Sequence, residues 1–266
     1  MNDTLTTLNW LVEAGADEAV AGEPVNRLAA KAPVQQMQAA MPRPATARAP
    51  ALPVEGDAVG GAMAAAASAT SLEELKAALE SFDGCGLKRT ANNTVFADGV
   101  AGGGIMLIGE APGRDEDRVG KPFVGRAGQL LDKMLLSIGL DRKTNAYITN
   151  VINWRPPDNR DPTPEEAAQC LPFLRRHIEL AQPQLIILLG AVAARHVVGV
   201  TDGIMKLRGR WMEYRVGDTM VPLMPTLHPA YLLRQPAHKK LAWRDLQAVR
   251  DKMYLVGLPR DATQSN

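Results

Sequence analysis

Two rhythms of apolar and polar positions run through this chain. The run IMLIG, Ile105 to Gly109, is continuously apolar, the pattern of a strand covered on both faces. YITNVI, from Tyr147, and LIILLG, from Leu185, repeat that strand signal. Between them AGQLLDKMLLSIGL brings Leu130, Leu131, Met134, Leu135 and Ile138 to one helical face ahead of a stop at Gly139. In DPTPEEAAQCLPFLRRHIEL, Thr163 is placed to cap a helix, with Pro164 at the first helical position and Glu166 at the reciprocal capping position. SLEELKAALESF repeats this logic, with Ser71 as cap, Glu74 as its reciprocal partner and Leu72, Leu75 and Leu79 on one face. After Leu185 the chain reads as strand, Gly190 turn and helix. A hairpin turning at Gly217 and Asp218 follows, then a closing helix in HKKLAWRDLQAVRDKMYLVG. Strands alternating with helices predict an α/β fold, three layers around a largely parallel central sheet.

The pattern changes before Ser71. TLTTLNWLVEAGADEAV predicts a short amphipathic helix carrying Leu8, Trp10 and Leu11 within residues 1–27. Residues 28–70 hold Pro33, Pro42, Pro44, Pro50 and Pro53 and then GDAVGGAMAAAASAT, with few large apolar groups to offset chain ordering. This stretch reads as a flexible linker, its Lys31, Arg43 and Arg48 as solubilising charges. A catalytic domain is expected over 71–257 and a flexible tail over 258–266.

The 266 residues are 46% hydrophobic and 22% charged, which excludes whole-chain disorder. Thirty Lys plus Arg against 29 Asp plus Glu leave a formal charge of +1, so any nucleic-acid surface must be a local positive cleft rather than a basic coat. Two cysteines, Cys85 and Cys170, are too few for a disulfide scaffold or a self-contained four-cysteine metal site. No stretch approaches the roughly 20 apolar residues of a membrane span. With no signal-peptide pattern, the expected location is the cytoplasm.

Candidate chemistry concentrates in GEAPGRDEDRVGKPFVGRAGQLL, which begins where the Ile105 strand ends, the usual place for a ligand crevice in an open α/β sheet. It contains neither a dinucleotide GxGxxG fingerprint nor a GxxxxGK[ST] phosphate loop. Glu110, directly after the strand, can orient a water or stabilise positive charge on a sugar, although a single carboxylate is more often a surface partner. Phe123 is core packing or, in a cleft, a stacking face for a base. Asn150 offers an amide donor and acceptor suited to a pyrimidine edge, or a satisfied strand end. RPPDNR sets Arg155, Asn159 and Arg160 near phosphates. His228, in PTLHPAYLLRQP, is a structural hydrogen bonder or a donor to a substrate oxygen. Leu232, Leu233 and Arg234 belong to a helical start or to a wedge entering a duplex.

The ordered set GEAPGRDED, KPFVGRAGQLLD, YITNVINWRPPDNRDPTPEE and LHPAYLLRQP resembles the uracil-DNA glycosylase superfamily, most closely its family 4 group, over about Ser71 to Gly257. The resemblance implies an α/β/α sandwich on a four-stranded, largely parallel sheet and hydrolysis of the bond between uracil and deoxyribose. It implies that Glu110 positions water or supports the cationic sugar, that Phe123 stacks on the base and that Asn150 reads uracil. His228 would partner the uracil oxygen, Glu116 and Asn159 would contact pocket or DNA, and His228 to Arg234 would form the intercalating loop. The partner so implied is uracil-containing DNA, single- or double-stranded, and a monomer suffices.

Family 4 members usually hold a 4Fe-4S cluster on four cysteines. Here the matching positions read Phe82, Cys85, Trp154 and Cys170, so no cluster and no other cofactor or metal is expected. A related branch traps DNA covalently through a histidine-bearing KRRQIH-type insertion, whereas DRVGKPF runs straight through, which favours hydrolytic turnover. The competing readings are a glycosylase for hypoxanthine or a mismatched base, and a damaged-DNA binder without excision.

Overall fold

The computed structural model describes residues 55–102 and 104–258. The expected N-terminal helix, the linker as far as residue 54 and the tail from 259 lie outside the described residues.

Six strands form one sheet: β1 Ala97–Gly99, β2 Ile105–Gly109, β3 Ala146–Asn150, β4 Leu185–Leu189, β5 Met212–Val216 and β6 Thr219–Thr226, in the order β1-β3-β2-β4-β6-β5. The inner four, β3, β2, β4 and β6, run parallel; β1 and β5 close the two edges antiparallel. The expected count of four strands therefore matches the parallel centre and leaves out the edges, although β5 is the first arm of the hairpin expected at Gly217–Asp218. β1 is a three-residue ADG segment with no apolar run to announce it, and β5 alternates exposure like a one-sided strand.

Period-two alternation divides the sheet between two cores. Met106, Ile108, Ile186, Leu188 and Leu223 face one side, where helices α1 (Glu55–Ser68), α2 (Leu72–Ser81), α5 (Pro164–Ala181) and α6 (Ala191–Val198) supply the cover. Ile105, Leu107, Ile148, Leu185, Ile187 and Met224 face the other, under α4 (Arg126–Leu136), α8 (Pro229–Arg234) and α9 (Lys239–Leu255). The short α3 (Arg114–Val119) and α7 (Ile204–Leu207) sit in the connections.

Caps form where the sequence places them. Thr163 and Glu166 make the full reciprocal box at the start of α5. Ser71 Oγ accepts from Glu74 N–H at 3.1 Å, while the Glu74 carboxylate reaches one residue further back and takes Thr70 N–H at 2.7 Å. The β5–β6 hairpin turns at Gly217–Asp218, with φ of 57° at Gly217.

One expectation needs correction. Residues 55–68, the end of the anticipated linker, form α1, which packs along α5 within the same compact unit as the sheet. Ala58, Ala62, Ala66 and Ala69 recur every four or three residues and are buried. Alanine has the highest helix propensity, and its small side chain lets two helix backbones approach closely. Arg176 fastens the end of α1 by donating Nε and Nη2 to the Ala69 carbonyl at 3.0 and 2.8 Å.

Candidate active site

Register brings the site together. Gly109 of β2 lies opposite Asn150 of β3, and Leu189 of β4 lies opposite Thr226 of β6. Glu110, Asn150 and His228 therefore emerge at the carboxyl ends of the parallel strands, where an open α/β sheet offers its crevice. A cavity of about 210 Å³ opens there, lined by Glu110, Glu116, Phe123, Asn150, Asn159, Arg160 and His228 together with Ala111, Pro112, Gly113, Ala127, Pro156 and Ala230.

Asn150 is the most telling of these. It is 1% exposed, and neither Oδ1 nor Nδ2 has a hydrogen-bond partner among the described residues. A buried primary amide left unpaired costs about 1–3 kcal/mol, so both groups stand ready for a ligand with a complementary edge. Gly109 makes room for it: a Cβ there would overlap Asn150 Oδ1 and lie 2.6 Å from the Phe123 ring.

Phe123 is 6% exposed and has φ of 53°, unusual for an aromatic residue. Its ring centre lies 5.5 Å from that of His228, the planes inclined at 35°. Glu116, expected to touch substrate, lines the cavity, but its Oε1 is engaged by the N–H groups of Val124 and Gly125, both at 2.9 Å. Its carboxylate thus shapes the loop that carries Phe123. Gly128, on α4, is equally constrained, since a Cβ there would overlap the Phe123 carbonyl oxygen.

His228 caps α8, and its Nδ1 accepts Ala230 N–H at 3.1 Å. Burial and, secondarily, Arg234 push its pKa down to about 4. The imidazole is therefore neutral at pH 7, and with Nδ1 accepting, its proton resides on Nε2 as a donor. The strand leading to it is anchored from behind: Thr226 Oγ1 donates to Asp245 Oδ2 at 2.7 Å, and Asp245 pairs with Arg208. Glu110 moves the other way. Burial raises its carboxyl above the usual range, Asp161 adds to the rise and Arg195 opposes it.

The remaining candidates divide. Arg155 donates Nε to Asn159 Oδ1 at 2.8 Å, which fixes the RPPDNR turn. Arg160 is bidentate to Glu166 at 2.8 and 2.6 Å while still lining the cavity. Leu233 is half-buried and Arg234 exposed. Leu232 is a correction. It is 1% exposed and belongs to the apolar core beneath α8, so it cannot serve as a wedge. Asp161 and Arg195 were missed by the sequence reading. They come from the segment before α5 and from α6, and nothing local in the sequence links either one to Glu110.

The positions aligned with cluster cysteines fall in or against the core cluster on the α5 face of the sheet. Cys85 and Cys170 are both buried free thiols. The neighbouring Cys85 thiol, with burial, pushes the Cys170 thiol well above its ordinary range. Trp154 is 1% exposed and donates Nε1–H to Thr94 Oγ1 at 3.0 Å, and Phe82 packs on Phe173 with ring centres 5.2 Å apart. Two thiols and two apolar rings do not make the four-thiolate donor set of a 4Fe-4S cluster. Among the described residues no group of three or more His, Cys, Asp or Glu side chains is placed to hold a metal ion.

Comparison with known proteins agrees with this geometry. Residues 96–247 match the Uracil DNA glycosylase superfamily. A type-4 uracil-DNA glycosylase of Archaeoglobus fulgidus is 42% identical over 170 residues, 62% of this chain and 85% of the relative. The type-4 uracil-DNA glycosylase of Thermotoga maritima is 40% identical over 169 residues, 62% of this chain and 86% of the relative. That of Pyrobaculum aerophilum is 37% identical over 179 residues, 66% and 91% respectively. With this match laid over the cavity at the strand ends, the chain belongs to the uracil-DNA glycosylase superfamily and groups with its type-4 members.

Proposed function

We propose that this chain hydrolyses the N-glycosidic bond of deoxyuridine in DNA, releasing uracil and leaving an abasic site as the first step of base-excision repair. The observation that carries the reading is the buried Asn150 amide, both of whose polar atoms lack a partner among the described residues and line a cavity walled by Phe123. Uracil presents a carbonyl beside an N–H, so it satisfies an amide's donor and acceptor together; cytosine presents an amino group where uracil has a carbonyl.

Bond opening separates charge, leaving an oxocarbenium-like sugar and an anionic base. Glu110, ionised, stabilises the sugar cation and orients the attacking water. His228 donates Nε2–H to the uracil oxygen as negative charge builds there, and as a neutral donor it does so without surrendering its proton. Phe123 stacks on the extruded base. Glu116 acts through the loop it ties, and Arg155, Asn159, Arg160, Leu233 and Arg234 face the DNA strand.

We further infer that the chain works without a 4Fe-4S cluster, the space it would occupy being filled by Phe82 and Trp154 beside a reduced Cys85–Cys170 pair. Iron content and visible absorption of protein purified without oxygen test this; stoichiometric iron would overturn it. Nothing in the chemistry requires a second subunit, so a monomer suffices, and buried free cysteines suit a reducing, DNA-containing compartment such as the cytoplasm. No helix among the described residues is long and apolar enough to cross a membrane.

The deciding experiment measures base release from matched oligonucleotides carrying uracil, hypoxanthine or thymine, single- and double-stranded, with wild type and Glu110→Ala. Uracil-dependent abasic sites that collapse in the variant support the reading. Release confined to hypoxanthine would transfer the assignment to that base, and tight damaged-DNA binding without release would make the chain a sensor.

A further inference from the structure

The positive φ of Phe123 is imposed from two sides. From α3, Glu116 takes the N–H groups of Val124 and Gly125. From the segment between α4 and β3, Arg142 donates Nη2 to the Phe123 carbonyl oxygen at 2.8 Å and Nη1 to the Pro122 carbonyl oxygen at 3.1 Å. The rest of its guanidinium is equally occupied: Nε bonds Asp132 Oδ1 at 2.8 Å, Nη2 approaches the same oxygen at 2.7 Å, and Nη1 reaches Asp98 Oδ2 at 3.1 Å. Asp98 in turn holds Lys121, two residues before Phe123, at 2.9 Å. The Arg142 side chain is 13% exposed, so two carboxylates and two carbonyls replace most of its water.

We propose that Arg142 is a positioning residue for uracil excision, locking the Pro122 and Phe123 carbonyls so that the Phe123 ring stands as a fixed wall of the base cavity. This rests on the glycosylase reading. Arg142 does not line the cavity and acts through Phe123. Only a planar fork can serve two carboxylates and two consecutive carbonyls at once, since a lysine presents three donors from one point. Glu116 fixes the N–H groups after the ring and Arg142 the carbonyls at and before it, so the strained residue is held through both of its flanks.

The test uses the full chain with Arg142→Lys, Arg142→Ala, Phe123→Ala and the two double variants. Arg142→Lys keeps the charge between Asp98 and Asp132 and carries the judgement if Arg142→Ala fails to fold. Three quantities are read: the single-turnover excision rate on uracil DNA, inhibition by free uracil, and affinity for DNA bearing a stable abasic-site analogue. Excision is expected to fall by about 10- to 100-fold, and free uracil to inhibit less in parallel. Abasic-DNA affinity should hold within about twofold, because it needs no base stacking. In the Phe123→Ala background the same Arg142 change should add less than about threefold, the signature of two residues acting as one unit. Fully additive losses, or equal weakening of uracil and abasic-DNA binding, would overturn the inference while leaving the glycosylase reading intact. Absence of uracil excision by the unmodified chain would overturn both.

Discussion

His228 Nδ1 accepts the Ala230 N–H at 3.1 Å, a bond within one turn that decides which ring nitrogen carries the proton. The same bond caps α8, so the histidine has a structural duty beside the chemical one proposed for it, and the two can be separated. In His228→Asn the side-chain oxygen can still cap the helix, asparagine being among the best N-cap residues, but its amide is too short to reach where Nε2 reaches. The variant should therefore fold with stability close to wild type and lose about 10² to 10³ in single-turnover excision, roughly 3–4 kcal/mol of transition-state stabilisation. Paired thermal unfolding and rate measurements check this, and a folded variant within a few-fold of wild type would remove His228 from the chemistry.

Burial shifts the pKa of Glu110 up and that of His228 down, which predicts the form of the pH profile. Glu110 is needed ionised and its pKa is raised, so activity is lost as pH falls through a value above the ordinary 4.5. His228, with a pKa near 4, stays neutral above that value and contributes no limb near 6.5. The acid limb of kcat/KM should therefore move with Glu110's neighbours. Asp161→Asn removes a negative charge and should shift it to lower pH; Arg195→Gln removes a positive one and should shift it to higher pH. Shifts of the opposite sign, or a limb unmoved by both, would mean that another group sets the acid side.

Asn150 predicts an exchange of function for stability. Its amide is buried without a partner among the described residues and faces the cavity. Asn150→Leu replaces the amide by an apolar group of similar shape. It should raise the unfolding free energy by about 1–2 kcal/mol while reducing uracil release to the level of a site that cannot recognise the base. Denaturant unfolding and base release on the same preparation decide it. Stability that falls by more than about 1 kcal/mol would indicate that the amide is satisfied in the native state.

How far the sequence could anticipate this site depends on how local each signal is. The capping box of Thr163 and Glu166 is complete within four residues, and the apolar runs at 105–109 and 185–189 mark their strands unaided. Glu110, Asn150 and His228 were legible because each lies at or just past a strand's carboxyl end, and parallel register gathers such ends into one crevice. Arg142, Asp161 and Arg195 were not, since each meets its partner through tertiary packing that no spacing encodes. Helix α1 was missed for another reason. Its buried stripe is made of alanines, which register as small residues in a composition count and as a packing face only once α5 lies against them.

Leu232 and Leu233 are adjacent in HPAYLLR, and their burial differs. Leu232 lies in the core under α8, whereas Leu233 is half-buried beside the exposed Arg234. Leu232→Ala should leave a cavity and cost about 2–5 kcal/mol of stability, with excision declining only as the folded fraction declines. Leu233→Ala should change stability by less than about 1 kcal/mol. Its effect belongs instead to DNA: a residue that fills space vacated by the extruded base helps most where neighbouring bases remain stacked, so the loss should be greater on double-stranded than on single-stranded uracil substrate. Excision rates on both substrates, set beside unfolding free energies for both variants, separate the two roles. Equal losses for Leu233→Ala on the two substrates would mean that the wedge is formed elsewhere in the loop.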